Sequence, residues 1–132
     1  MNISTYLKNA IADEILGGVN FAPPATVYAR AFSTALTAAG AGTELAGNGY
    51  APKAITNNAV NFPAAVNGAK QLAVMHEFDP ATADWAGILA IGLFGAAVGG
   101  NLLIYENYGT AINVLNGQKL RLNIGSITEE II

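Results

Sequence analysis

Residues 85–105 constrain the fold more than any other segment, because these 21 consecutive residues carry no charged side chain. A helix of that length would cross a bilayer. Gly95 and Gly99 also have the GxxxG spacing that packs membrane helices. The same residues fit two buried β-strands joined by a glycine turn. The segment therefore allows two interpretations, a membrane helix or a β-hairpin.

The glycines of this segment favour the hairpin. Five of them lie within it, and each costs a helix about 1 kcal/mol relative to alanine. Residues 99–101, Gly-Gly-Asn, readily adopt the positive φ angles of a tight turn, and apolar residues alternate on both sides of it. The flanking charges, Asp84 and Glu106, are acidic, whereas Lys and Arg orient a membrane span. The sequence predicts a hairpin with Gly99 and Gly100 at its tip, and no membrane association.

The charge content of the chain points to extensive contact with other proteins. Only 11% of its 132 residues are charged and 52% are hydrophobic, whereas about 25% of residues are charged in typical soluble domains. A chain of this length is expected to form a single domain, residues 1–132. A surface so poor in charge is typical of a subunit that is buried against its own copies or other proteins. We therefore expect a homo-oligomer, a subunit bound to other proteins, or both.

Several classes of function are excluded by what the sequence lacks. The net charge of −3 and the scattered positions of the six basic residues give no electrostatic surface for nucleic acid. The absence of cysteine excludes disulfides, thiolate metal sites and cysteine nucleophiles. The N-terminal residues are amphipathic and charged, unlike a secretory signal peptide.

One helix is predicted, over residues 3–17. Ser4 is a good N-cap, apolar residues repeat at spacings of three and four, and Gly17 and Gly18 end the helix. This helix (residues 3–16) and the alanine- and glycine-rich loop 34–51 are two alternative candidate contact surfaces.

The rest of the chain, residues 25–132, has the short alternating segments and regular turns of an antiparallel β-sandwich. Turns are predicted at residues 107–109 and at Asn116-Gly117, the latter a strong type I′ hairpin signal. Pro52 indicates an edge strand. The predicted fold class is mainly β, a jelly-roll-like antiparallel sandwich after one short helix. The predicted strands are residues 25–33, 50–56, 60–64, 70–78, the two strands of the hairpin, 111–115, 119–124 and 127–132.

No catalytic, cofactor-binding or metal-binding residue is predicted. The single histidine, His76, has no motif partner for a catalytic triad, and we interpret it as a hydrogen-bonded residue in or beside the core. The spacing of Glu77, Asp79 and Asp84 matches no calcium motif. Glu129 and Glu130 are expected on a solvated face. Glycine spacings match neither phosphate-binding pattern, so we expect no enzyme and no cofactor.

The aromatic residues provide an alternative, a receptor or carbohydrate site. Nothing groups them in sequence, so most are expected to pack in the core or at strand ends. Exposed tyrosines on loops, such as Tyr50 and Tyr108, would be the binding residues in this alternative. The full set is Tyr28, Tyr50, Phe62, Trp85, Tyr105 and Tyr108.

Three segments resemble a family of small phage structural proteins that are commonly labelled tail fibre proteins. They are PPATVY at 23–28, GNGYAPKAITNNAVNFPAA at 47–65, and the hairpin at 85–105. This chain departs from the family pattern at Ala96, where aspartate is frequent, and at Asn48, which interrupts three glycines.

The resemblance implies a non-enzymatic, multi-copy virion component with a β-sandwich body, assembled in the host cytoplasm beside capsid or tail proteins. A fibre shaft requires length, heptads or β-repeats, and the sequence has none. We therefore favour a capsid decoration (cement) protein. The alternatives are a tail-associated fibre or knob protein and a receptor- or glycan-binding module.

Overall fold

The computed structural model describes residues 1–125 and 129–131. In this part of the chain, two antiparallel sheets and one helix account for the regular structure. The larger sheet has the strand order β1-β6-β5-β2-β3, and the smaller has the order β4-β7-β8. The mainly β, antiparallel fold class with one short helix is therefore confirmed. The elements are β1 Asn2–Ile3, α1 Thr5–Ile15, β2 Thr26–Phe32, β3 Lys53–Thr56, β4 His76–Glu77, β5 Trp85–Phe94, β6 Leu102–Val114, β7 Leu120–Leu122 and β8 Glu129–Ile131.

The predicted hairpin is present as strands β5 and β6. Gly99 and Gly100 have φ angles of 64° and 70° in the turn between them, and the Gly95 amide donates to the Asn101 carbonyl at 3.1 Å across its base. β5 pairs with β6 on one side and with β2 on the other. No helix among the described residues has the length and apolar character needed to span a bilayer. The hairpin interpretation is therefore confirmed.

Strand β5 is buried on both faces, which explains its nearly continuous run of apolar residues. On one face, Ile88, Ile91 and Leu93 belong to the main core, which the two sheets share. Leu120 and Leu122 of β7 contribute to this core from the smaller sheet. The opposite face carries a second cluster, made of Phe32, Leu36, Ala90, Phe94 and Leu102. Leu36 comes from loop 34–51, so this loop covers the outer face of the large sheet.

The turn predicted at residues 107–109 is wrong, because β6 continues through it. Ala90 pairs with Asn107 and Ile88 pairs with Ile112, so the single residue Leu89 lies opposite four residues of β6. The turn-forming residues thus lie in a β-bulge with several extra residues, within one long strand. Such bulges accommodate extra residues, and the pairing continues beyond them.

The helix is shorter than predicted at both ends. Ile3 pairs with Ile104 in strand β1, and Ser4 is the N-cap, accepting from the Leu7 amide at 3.1 Å. Leu16 is the C-cap, and Gly18 beyond it has a φ of 67°. The stop signal of the glycine pair was therefore interpreted correctly.

The smaller sheet differs most from prediction. Within the predicted strand 70–78, only His76–Glu77 is a strand, and Leu72 adds one isolated bridge to Gly125. Residues 60–64 form a turn followed by irregular chain rather than a strand. The last predicted strand, 127–132, lies partly outside the described residues; Glu129–Ile131 within it is β8.

The Asn116-Gly117 turn lies where predicted but joins the two sheets instead of closing a hairpin. The Gln118 amide donates to the Leu115 carbonyl at 2.9 Å. Only Gly117 has a positive φ, 85°, whereas a type I′ turn requires two. The jelly-roll-like arrangement is not confirmed, since the described strands form sheets of five and three.

Candidate functional site

His76 lies on the short strand β4 and hydrogen bonds to a buried amide. Its Nε2 is 3.1 Å from Asn61 Oδ1. The Asn61 Nδ2 donates to the Thr56 carbonyl at 2.7 Å, which leaves Oδ1 as the acceptor. Burial, and secondarily the positive charge of Lys53, lowers the pKa of His76 below its usual value. This geometry positions the 56–61 turn against β4, and among residues 1–125 and 129–131 the imidazole hydrogen bonds to Asn61 and to no hydroxyl.

The acidic residues near the hairpin have separate structural partners. Glu77 accepts from Lys119 Nζ at 3.1 Å, and Asp84 Oδ1 accepts from the Asn116 amide at 2.8 Å. Within residues 1–125 and 129–131, no cluster of three His, Asp or Glu residues could hold a metal ion. Glu129 and Glu130 pair through their backbone with Leu122 and Arg121.

The tyrosines proposed as exposed binding residues are half-buried, so this expectation is corrected. Tyr50 packs edge-on against the buried Trp85, with 5.5 Å between ring centroids, and Tyr108 packs against the main core from strand β6. Tyr28, Phe62 and Tyr105 are also half-buried. A different aromatic pair is partly exposed: the ring centroids of Tyr6 and Phe21 are 6.4 Å apart, Tyr6 is 41% exposed and Phe21 is half-buried.

A buried charged network holds the outer face of the large sheet, and sequence reasoning missed it. Arg30 donates to Glu44 Oε2 at 2.7 Å and to the Gly99 carbonyl at 2.8 Å. Its guanidinium carbon lies 4.1 Å from the centroid of the Phe94 ring, a cation–π distance. The other Glu44 oxygen accepts from the Tyr50 hydroxyl at 2.7 Å. Arg30 and Glu44 are the only charged residues between positions 25 and 52, a signal that could have identified the pair.

This network, together with one asparagine, fixes loop 34–51 on its own sheet. The Tyr50 hydroxyl accepts from the Ala31 amide at 2.9 Å, and burial raises the pKa of Tyr50 well above its usual range. Asn107 of β6 accepts from the Leu36 amide and donates to the Leu36 carbonyl, at 2.8 and 2.9 Å. The loop is therefore an intramolecular cover, although its alanine- and glycine-rich outer residues remain exposed.

Helix α1 is the second candidate surface, and it is strongly exposed. None of its residues is buried. Near its C-terminal end, Ile15 is 73% exposed and Leu16 is 83% exposed; Ile11, one turn earlier, is 40% exposed. We call these three residues the apolar end of α1.

An apolar groove lies beside the first turn of the helix. It has a volume of about 180 Å³, and Leu7, Phe62, Leu93 and Ile104 contribute apolar side chains to its wall. Lys70 stands among the lining residues and is exposed. We call this feature the α1 groove.

The described residues thus form two antiparallel sheets with an exposed helix and an apolar groove beside it. A family model described as "Podophage GP4 fiber I protein gp80" matches residues 2–130, and the chain belongs to this family. No curated protein gave a match. The resemblance to phage fibre proteins is therefore confirmed, and the chain is a bacteriophage structural protein of the fibre type, located in the virion.

Proposed function

We propose that this protein is a tail-associated fibre subunit, present in many copies and bound to other virion proteins. The observation that carries this proposal is the match to a fibre protein family over residues 2–130. This match favours the tail-associated alternative. Capsid decoration was the prediction from the absence of shaft repeats in the sequence. A compact subunit can still build a fibre when its copies contact one another repeatedly.

A non-enzymatic role agrees with the surroundings of the polar groups. His76 is occupied by Asn61, and the Arg30–Glu44 pair is enclosed by Phe94 and Tyr50. These groups hold segments of the chain together, which is a structural use. Assembly in the host cytoplasm, before lysis, is part of the same proposal.

Labelling of intact particles tests the proposal. Purified virions are decorated with a gold-conjugated antibody against this chain and imaged, and the copy number is measured by quantitative mass spectrometry. Label at the tail or its fibres is the expected result. Label spread evenly over the head, with a copy number that matches the capsid lattice, would instead establish capsid decoration.

Glycan binding is a second candidate function, favoured by one exposed groove. Its volume is about 300 Å³, and it combines the Tyr6 and Phe21 rings with the polar side chains of Asn9, Asp13 and Asn20. Sugars stack on aromatic faces and hydrogen bond to amide and carboxylate groups. A glycan array with wild type and Tyr6→Ala tests this candidate: specific binding that the substitution abolishes supports it, and a blank array refutes it.

A further inference from the structure

Helix α1 is fixed at one end and free at the other. The buried Ser4 donates its hydroxyl to the Leu102 carbonyl and its amide to the Leu103 carbonyl, and the Thr5 amide donates to the Ala38 carbonyl. The apolar end of α1 has no comparable attachment among the described residues, and Ile15 and Leu16 project with most of their surface exposed. Large apolar groups at the free end of a short helix are a feature of interaction sites.

The same chain carries a surface that fits such a projection. The α1 groove is apolar, and Leu93 and Ile104 at its floor lie in neighbouring positions on adjacent strands. Ile3, paired with Ile104 on the next strand, is 42% exposed. An apolar row therefore runs across three strands and ends at the surface, where a protruding aliphatic side chain could cover it.

The charges around the two surfaces are complementary. Asp13 and Glu14 flank the apolar end of α1, whose last turn contains no basic residue, and the negative end of the helix dipole adds to their field. Lys70 stands at the groove. Among the described residues, none of these three side chains forms an ion pair. A second copy would therefore bring opposite charges together as it covers the apolar surfaces.

We propose that the apolar end of α1 of one copy docks into the α1 groove of a second copy. The two contacting surfaces are different, so the contact is heterologous and continues from copy to copy into a ring or a filament. This inference deepens the proposed multi-copy role by naming the partner and the surfaces. It fails independently of that role, since labelled tails are compatible with a chain that does not bind itself.

Sedimentation velocity of the full chain over a concentration series tests the apolar part of the contact. Wild type is expected to self-associate, and Leu16→Asp is expected to weaken association by about tenfold or more, the effect of losing one buried leucine. Val98→Asp is the matched control, because Val98 is 88% exposed in the β5–β6 turn and is neither part of the apolar end of α1 nor a lining residue of the α1 groove. Circular dichroism checks that both variants keep the fold. A wild type that stays monomeric throughout, or association unaffected by Leu16→Asp, overturns the inference.

Charge reversal tests the direction of the contact. Lys70→Glu places an acid opposite the acidic helix end, and Glu14→Lys places a base opposite Lys70, so each variant alone is expected to associate weakly. In an equimolar mixture every contact between a Lys70→Glu copy and a Glu14→Lys copy again pairs opposite charges, so alternating copies should associate and association should return towards the wild-type level. If the mixture associates no more strongly than either variant alone, the docking of α1 in the groove is refuted. It is also refuted if the wild-type chain is monomeric and Leu16 is needed only for binding another virion protein.

Discussion

Glu44→Ala should destabilise the protein strongly, because it leaves the charge of Arg30 without its partner. The Arg30 side chain is only 10% exposed and that of Glu44 is 23% exposed. The guanidinium would retain the Gly99 carbonyl at 2.8 Å and the face of Phe94, neither of which carries a negative charge. The substitution also removes the acceptor of the Tyr50 hydroxyl.

The expected loss follows from this burial. Removing one partner of a buried ion pair costs about 3–5 kcal/mol. Water reaches the Glu44 side of the pair, so we expect about 3 kcal/mol, the lower end of that range. The matched control is the surface ion pair of Lys119 and Glu77, in which Nζ lies 3.1 Å from Oε2. The two side chains are 39% and 33% exposed. Exposed pairs contribute about 0.2–1 kcal/mol, so Glu77→Ala should cost about 0.5 kcal/mol.

Urea unfolding at neutral pH measures both losses. The chain has a single tryptophan, and Trp85 is buried in the main core, so its fluorescence reports the transition. The midpoint should fall with an unchanged slope, as expected when stability changes and the unfolded surface does not. The double variant Arg30→Met with Glu44→Leu should recover most of the loss, because the buried charge is gone. Equal decreases in the free energy of unfolding for Glu44→Ala and Glu77→Ala would refute the conclusion that Arg30 and Glu44 form a buried, stabilising ion pair.

Three further substitutions test particular features by the same urea assay. The raised pKa of Tyr50 means that the folded state keeps the phenol proton to a higher pH than the unfolded state does, so the free energy of unfolding decreases as the pH rises above about 10. The free energy of unfolding of Tyr50→Phe should decrease less steeply over this pH range. An equally steep decrease in the variant would contradict the role of Tyr50. The lowered pKa of His76 means that the unfolded state takes up the imidazole proton first, so the free energy of unfolding decreases as the pH drops below about 6.5. His76→Gln should reduce this decrease, and a decrease of the same size in the variant would contradict the role of His76. A Cβ on Gly92 would lie within 3.0 Å of three apolar side chains, so Gly92→Ala should cost about 1–3 kcal/mol. Gly109→Ala, with open space around its Cβ, is the control, and equal costs would contradict the crowding.

The central hairpin could be predicted because several local signals agreed there. Glycine content, alternation and acidic flanks all pointed to two strands, and the positive φ angles of Gly99 and Gly100 match the predicted tip. The helix cap at Ser4 was predictable for the same reason, since capping depends on neighbours in sequence. Its second role, donating to Leu102, depends on a residue far along the chain and has no local signal.

The errors occurred where distant partners override local preference. Residues 107–109 resemble a turn, but β5 pairs with β6 on both sides of them, at Asn107 and at Ile112, so they lie in a bulge of one strand. Tyr50 follows a glycine-rich loop and resembles an exposed residue, yet Glu44 and the Ala31 amide hold its hydroxyl against the sheet. The α1 groove combines residues from the helix, the β3–β4 connection and three strands, so no single segment of sequence could reveal it.

The long-range attachment of α1 also sets an order of events during synthesis. Ser4 and its acceptor Leu102 are 98 residues apart, and among the described strands β1 pairs with β6 alone. Residues 2–16 are therefore translated before the strand to which they bind. They can attach to the large sheet only after the hairpin has been translated, since non-local contacts form late. A truncated chain that ends before β6 cannot orient its helix. Translation of the hairpin therefore precedes the attachment of the helix to the large sheet.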